Sequence, residues 1–203
     1  MYTMKLPETR KTALNPEQNG LIYRVILFAL FAAQEKTHFQ RFNILSELKP
    51  KNVSESKTEQ VQIVMSGDIN GNGRLFGGRL AEWIDVVAAV VARRHSNREV
   101  TTVFIDNLHF KAPAYINDTV VLIGSVTYVG NTSIEVKVDT YAENLLGERR
   151  MINKAYVVLV ALDENEKPVS VPSLIMENEE QKIEWQAGKR RRALQISQLA
   201  QNC

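Results

Sequence analysis

Cysteine is almost missing. The one residue, Cys203, stands at the last position, so an internal disulfide framework is excluded and a reducing compartment fits. Histidine is scarce too: His38, His95 and His109 form no pair at metal-ligand spacing, and no cysteine or acidic cluster joins them. A bound metal is therefore not expected. Ser66, Ser125, Thr132 and Ser133 lie outside any G-x-S-x-G context, which removes a nucleophile-elbow serine hydrolase. No apolar run reaches the ~20 residues that span a bilayer. The net charge of +2 is too small to argue for a nucleic acid or a membrane surface. There is no internal repeat. What the chain does have is 44% apolar residues in 203, enough for one domain with a sizeable core and room for appendages.

The densest information lies in residues 66–94. Asp68, Asn70, Gly71, Asn72 and Gly73 favour turns and left-handed backbone. Gly77 and Gly78 follow, then a run that reads as one helix. Leu80, Trp83, Ile84, Val87, Ala88 and Val91 mark one face at helical spacing, while Val86, Ala89 and Val90 make the other face apolar as well. A helix apolar all round is expected to be buried on all sides. Asp85 in its middle would cost several kcal/mol, roughly, unless it is paired or takes up a proton, and such carboxylates are candidate catalysts. The bland alternative is a core aspartate satisfied by a hydroxyl or a backbone group. Likewise, the glycine pair reads either as a tight turn or as a helix N-terminus whose free N–H groups accept a developing oxyanion.

The pattern Asp68-x-Asn70-x-x-Gly73-x-x-Phe76-Gly77-Gly78-x-Leu80-x-x-Trp83-x-Asp85 resembles the signature of hotdog-fold acyl-CoA thioesterases. These are the bacterial short- and medium-chain type and its two-domain animal relatives. The resemblance runs from about Thr58 to Pro172, including F-K-A-P at 110–113. It implies hydrolysis of acyl-CoA to a free acid and CoA, with no cofactor beyond the substrate's own CoA and a place in fatty acid metabolism. By that resemblance Asn70 orients the water or the carbonyl, Gly78 N–H holds the oxyanion with Gly77 allowing close approach, and Asp85 is base or nucleophile. Arg93, Arg94 and the turn Asn131, Thr132 and Ser133 become candidates for CoA contacts, with surface charge and a plain hairpin as the alternatives. A homodimer with a continuous sheet, grouped into a trimer of dimers, is implied, with a cytoplasmic location, no nucleic acid and no stable membrane insertion. A hotdog hydratase or dehydratase and a non-catalytic acyl-CoA-binding regulator are the rival readings. The first would want a catalytic histidine near the central helix; the second has no need of Asp85.

The rest of the chain supplies the frame. Residues 1–50 read as an appendage that the fold does not need. Leu21 to Ala33, 13 residues broken by Arg24, also resembles an export signal, and a translation start placed too far upstream is a third reading. Residues 51–175 hold the domain. Val61, Ile63 and Met65 alternate with polar residues and predict a half-buried strand. The helix should end near His95, and strands are expected at 101–110, 119–129, 133–143 and 150–162. Along 133–143, Ile134, Val136 and Val138 oppose Glu135, Lys137 and Asp139, while 156–162 is continuously apolar like a central strand. One helix followed by a meander predicts an α+β domain, an antiparallel sheet wrapped around one long central helix. Residues 176–203 predict a polar C-terminal helix, with Lys189 to Arg192 on a solvated face or, alternatively, holding CoA phosphates.

Overall fold

A computed structural model describes residues 48–201, which belong to the compact unit Leu48–Cys203. Residues 1–47 of the appendage, which include the export-signal stretch, lie outside the described residues. The elements in chain order are β1 (Lys51–Asn52), a short α1 (Val53–Ser56), β2 (Thr58–Ile63), the central helix α2 (Gly77–Ser96), β3 (Glu99–Phe110), β4 (Thr119–Val129), β5 (Ser133–Glu143), β6 (Arg149–Leu162), β7 (Leu174–Ile175) and α3 (Glu179–Gln201). Five strands form one antiparallel sheet in the order β2-β4-β5-β6-β3. β1 and β7 pair in parallel beside it. This is the hotdog arrangement.

The inner face of the sheet holds α2. Val120, Leu122, Val136, Val138, Val157 and Leu159 are all under 1% exposed and pack around Ile84, Val87 and Val91 of the helix. Gly124 sets how closely helix and sheet approach. A Cβ there would stand 2.8 Å from Val87 Cγ1 and 2.8 Å from Val91 Cγ2. The helix ends on Asn97 in the left-handed region (φ 53), whose N–H donates to Arg93 O. The Lys51 ammonium closes that end by donating to Arg94 O and Asn97 Oδ1, where the helix dipole favours a cation.

Two expectations are corrected here. The apolar side of β2 faces outward: Val61 and Ile63 are 54 and 56% exposed, as is Met65 just beyond the strand at 60%. Thr58, Gln60 and Gln62 take the inner side, opposite Gly124, Leu122 and Val120. Alternation shows that two faces differ, not which one is buried. Nor is α2 buried all round, since Val86 is 49% exposed and Asp85, Ala89 and Val90 are half-buried. The sheet curls around one side of the helix and leaves a strip of the other uncovered.

The third correction concerns α3. It lies on the outer face of the sheet, where Trp185 meets Tyr128 at 5.6 Å between ring centroids. Gly188 lets the helix in, because a Cβ there would stand 2.7 Å from Tyr128 Cβ. The basic run is not simply a solvated face. Arg191 bonds Glu135, which is 4% exposed, and Glu184, with its guanidinium 3.7 Å from the Tyr156 ring centre. Two carboxylates and an aromatic ring on one side turned this arginine inward.

Candidate active site

The motif residues divide into those that shape the loop and those left to act. Asp68 is a tie: Oδ2 accepts from Met65 N–H, Oδ1 pairs with Arg79 at 3.1 Å, and its backbone O accepts from Phe76 N–H. Asn70 closes a tight loop over 70–74. Its Oδ1 accepts from Asn72 N–H at 2.9 Å and Arg74 N–H at 3.3 Å, with Gly73 at φ +69. With that oxygen engaged twice, the amide is fixed so that Nδ2 is the group offered outward, as a donor.

α2 begins next to this loop. Phe76 is its N-cap, no side chain caps the first turn, and no acidic residue stands there to offset the helix dipole. The earliest helical bond runs from Leu80 N–H to Phe76 O, so the N–H groups of Gly77, Gly78 and Arg79 have no partner inside the helix. A Cβ on Gly78 would come 2.6 Å from the Phe76 ring, and one on Gly77 would come 3.2 Å from the Phe110 ring. Both glycines thus let an exposed phenylalanine ring lie against the helix end.

Asp85 lies seven residues further on, half-buried. Its partner is Thr102, whose hydroxyl donates to Asp85 Oδ1 at 2.6 Å. The ladder between β3 and β6 slips between Thr102 and Phe104, and such a bulge re-aims the side chain beside it. Thr102 is the residue that sequence reading missed. Its signal was weak: a threonine in a strand, 17 positions past the aspartate, is ordinary until the bulge turns it toward the helix.

The structure does not bring all expected residues together. Seven helical positions separate Gly78 from Asp85, about 10 Å along the axis. A cavity of about 320 Å³ opens beside Asn70, and Asp85 is not in its wall. Arg93 and Arg94 sit at the far end of α2, about 12 Å beyond Asp85. Arg93 pairs with Glu99 at 2.7 Å, and Arg94 donates to Thr58 Oγ1 at 2.9 Å. Asn131, Thr132 and Ser133 lie at that same end, as the pairings Ser133–Val160 and Glu99–Leu162 require. Asn131 Oδ1 accepts from Ser170, and Thr132 O from Ala161 N–H.

The two described histidines stand apart from this constellation. His95 is fully buried, with Nε2 3.0 Å from Pro172 O, and His109 is exposed on β3. Burial pushes the His95 imidazole below its ordinary value, the Pro172 carbonyl opposes the shift, and Lys51 adds to it. Among the described residues no group of three or more His, Cys, Asp or Glu side chains could hold a metal ion.

Known proteins resemble this chain. Residues 72–147 match the family described as the Thioesterase superfamily. An uncharacterized acyl-CoA thioester hydrolase of Bacillus subtilis is 41% identical over 128 residues, which cover 63% of this chain and 74% of that protein. The chain belongs to the thioesterase superfamily. A solved hexameric acyl-CoA thioesterase is 36% identical with a TM-score of 0.72, covering 75% of this chain and 98% of its own. An acyl-CoA hydrolase of Staphylococcus aureus, solved with butyryl coenzyme A and coenzyme A, is 30% identical with a TM-score of 0.68, covering 74% and 95%. Alanine variants of that enzyme have also been solved. The replaced Asn and Asp are 15 positions apart, and the replaced Asp and Thr are 17 apart. Asn70, Asp85 and Thr102 of this thioesterase have the same spacings. Animal relatives are longer; the chain spans 38% of the rat cytosolic acyl coenzyme A thioester hydrolase, to which it is 28% identical.

Proposed function

We propose that this protein hydrolyses acyl-CoA thioesters to a carboxylic acid and CoA at a site shared by two copies of the chain. Membership in the thioesterase superfamily supports the reaction, and the separation of Gly78 from Asp85 supports the sharing. A thioester carbonyl must meet its oxyanion donor and its attacking group within about 3 Å each, and about 10 Å of one helix cannot supply both. Gly78 N–H and the Asn70 amide of one copy then hold the carbonyl oxygen, while Asp85 of the other faces the carbonyl carbon. Thr102 holds Asp85 Oδ1 and leaves Oδ2 to act. Asp85 either takes a proton from a water that adds to the carbon and passes it to the departing CoA sulfur, or attacks the carbon itself, expelling CoA thiolate, which solvent protonates, and leaving a mixed anhydride that a water then opens to the acid. Arg93, Arg94 and the 131–133 turn share one end of the sheet and are offered as contacts for the nucleotide end of CoA.

The homodimer in this reading joins along β3. That strand is a sheet edge with Val103, Phe104 and Ile105 exposed at 52, 44 and 39%, and Val86 of α2 adds to the uncovered apolar surface. A trimer of such dimers and a cytoplasmic location belong to the same proposal. Among the described residues no helix is long and apolar enough to cross a membrane.

Thiol release from acyl-CoA, followed with a thiol reagent, tests the function. The wild type should release CoA, and Asp85→Asn should lose about 100-fold or more. Wild-type rates from Asp85→Asn would overturn the site.

A further inference from the structure

We propose that Asp68 and Arg79 form a strut across the Gly77–Gly78 pair, fixing the Asn70 amide and the Gly78 N–H relative to each other. Both are then positioning residues for the oxyanion, acting through the groups that hold it. This rests on the thioesterase reading above.

The two donors come from separate pieces of backbone. Asn70 belongs to a loop closed on itself. Its N–H donates to Arg74 O at 2.7 Å, Gly73 N–H donates back to Asn70 O at 3.0 Å, and Ile69 bridges to Leu75. That loop is anchored away from the helix, by Leu75 N–H to Ala114 O at 2.8 Å and by a bridge between Arg74 and Tyr115. Gly78 belongs to the first turn of α2. Two glycines in a row join the pieces, and their missing Cβ atoms make room for the Phe76 and Phe110 rings. Glycine also leaves the backbone freer than any other residue. Catalysis needs its donors held to within about 0.5 Å, and a junction this soft does not supply that alone.

The ion pair spans the junction. Asp68 stands two residues before Asn70, and Arg79 one residue after Gly78. Asp68 Oδ1 meets Arg79 Nε at 3.1 Å, while Oδ2 accepts from Met65 N–H at 2.9 Å, so the carboxylate is gripped at both oxygens. The guanidinium is aimed as well, because Nη1 donates to Glu82 Oε2 at 2.6 Å further along the helix. Asp68 is 16% exposed and Arg79 38%. A pair this near the surface adds little to stability, so its effect belongs in kcat rather than in melting temperature.

The test follows thiol release from butyryl-CoA by the full chain. Asp68→Asn keeps an oxygen for Met65 N–H but loses the charge facing Arg79, and Arg79→Met keeps the stem without the guanidinium. Each should lower kcat at least about tenfold with KM and melting temperature little changed, since a misplacement of about 1 Å costs up to about 100-fold. The double variant should be no slower than the slower single, because the two residues act as one unit. Unchanged or raised kcat in either single variant overturns the strut, as does a loss confined to KM. Losses that multiply in the double variant also overturn it. Hydrogen exchange separates this proposal from the hydrolysis reading. The N–H groups of Asn70, Leu75, Phe76 and Leu80 are all bonded in the loop and the helix start. Asp68→Asn should speed their exchange at least about tenfold and leave β4 and β5 as they were. That result in a protein releasing no thiol sinks hydrolysis alone, and unchanged exchange sinks the strut whatever the rate.

Discussion

Asp85 has the one feature that makes a mid-helix carboxylate tolerable, a hydroxyl donor at 2.6 Å, and that donor comes from another element. Thr102 is thus a positioning residue for Asp85. Hydrogen bonds to charged groups contribute about 1.5–3 kcal/mol. Thr102→Ala should therefore lower kcat about 10- to 100-fold with little change in KM, and Thr102→Ser should restore most of it. A loss confined to KM, or no rescue by serine, would count against this role. His95 gives a second prediction. Burial depresses its imidazole, so the folded state binds a proton less readily than the unfolded chain. Its contribution is intact above the unfolded value near ~6.5 and is lost as pH falls from there toward the depressed folded value. Melting temperature should decline as pH drops from about 6.5 to 5. His95→Asn should flatten that part of the curve, and an unchanged slope would assign the decline to other groups.

At the scale of elements, two helices sit on opposite faces of one sheet for different reasons. α2 is held by apolar packing brought close by Gly124, whereas α3 is held by an ion cluster around Arg191. Glu135, at 4% exposure, also accepts from Thr127 at 2.6 Å. Truncating Arg191 would leave this buried carboxylate without its cation. Arg191→Met should cost about 3–5 kcal/mol in chemical denaturation. Replacing both members, as Glu135→Met with Arg191→Met, should recover most of that loss, because a matched apolar pair avoids the desolvation of two charges. A double variant as weak as the single one would mean that α3 is held mainly by Trp185 and Tyr128. The alternation of β5 had placed Glu135 on the outer face, which it occupies. What covers it there depended on a helix 50 residues later in the chain.

For the whole molecule, the question is which copy supplies which half of the site. Asn70→Ala and Asp85→Ala should each be inactive alone. Unfolded together in equal amounts and refolded, about half of the dimers would be mixed, each with one intact and one doubly broken site. Activity should return to about a quarter of wild type. If mixed dimers are shown to form and no activity returns, each site is built within one chain, and the acyl-CoA hydrolase assignment survives without the sharing.

The amino-acid sequence by itself determined the order of the elements and the chemistry of the loop. Glycine, asparagine and aspartate at 68–78 can enter the left-handed backbone that turns require, and period-2 and period-3.6 patterns follow from local backbone geometry. Strands β4 and β5 begin and end where those patterns do. Tertiary structure alone decided which side of β2 is buried, which side of α2 stays open, that Arg191 turns inward, and that Thr102 finds Asp85. Each of these depends on a partner far away in the chain, and a local pattern describes a face without naming what will cover it.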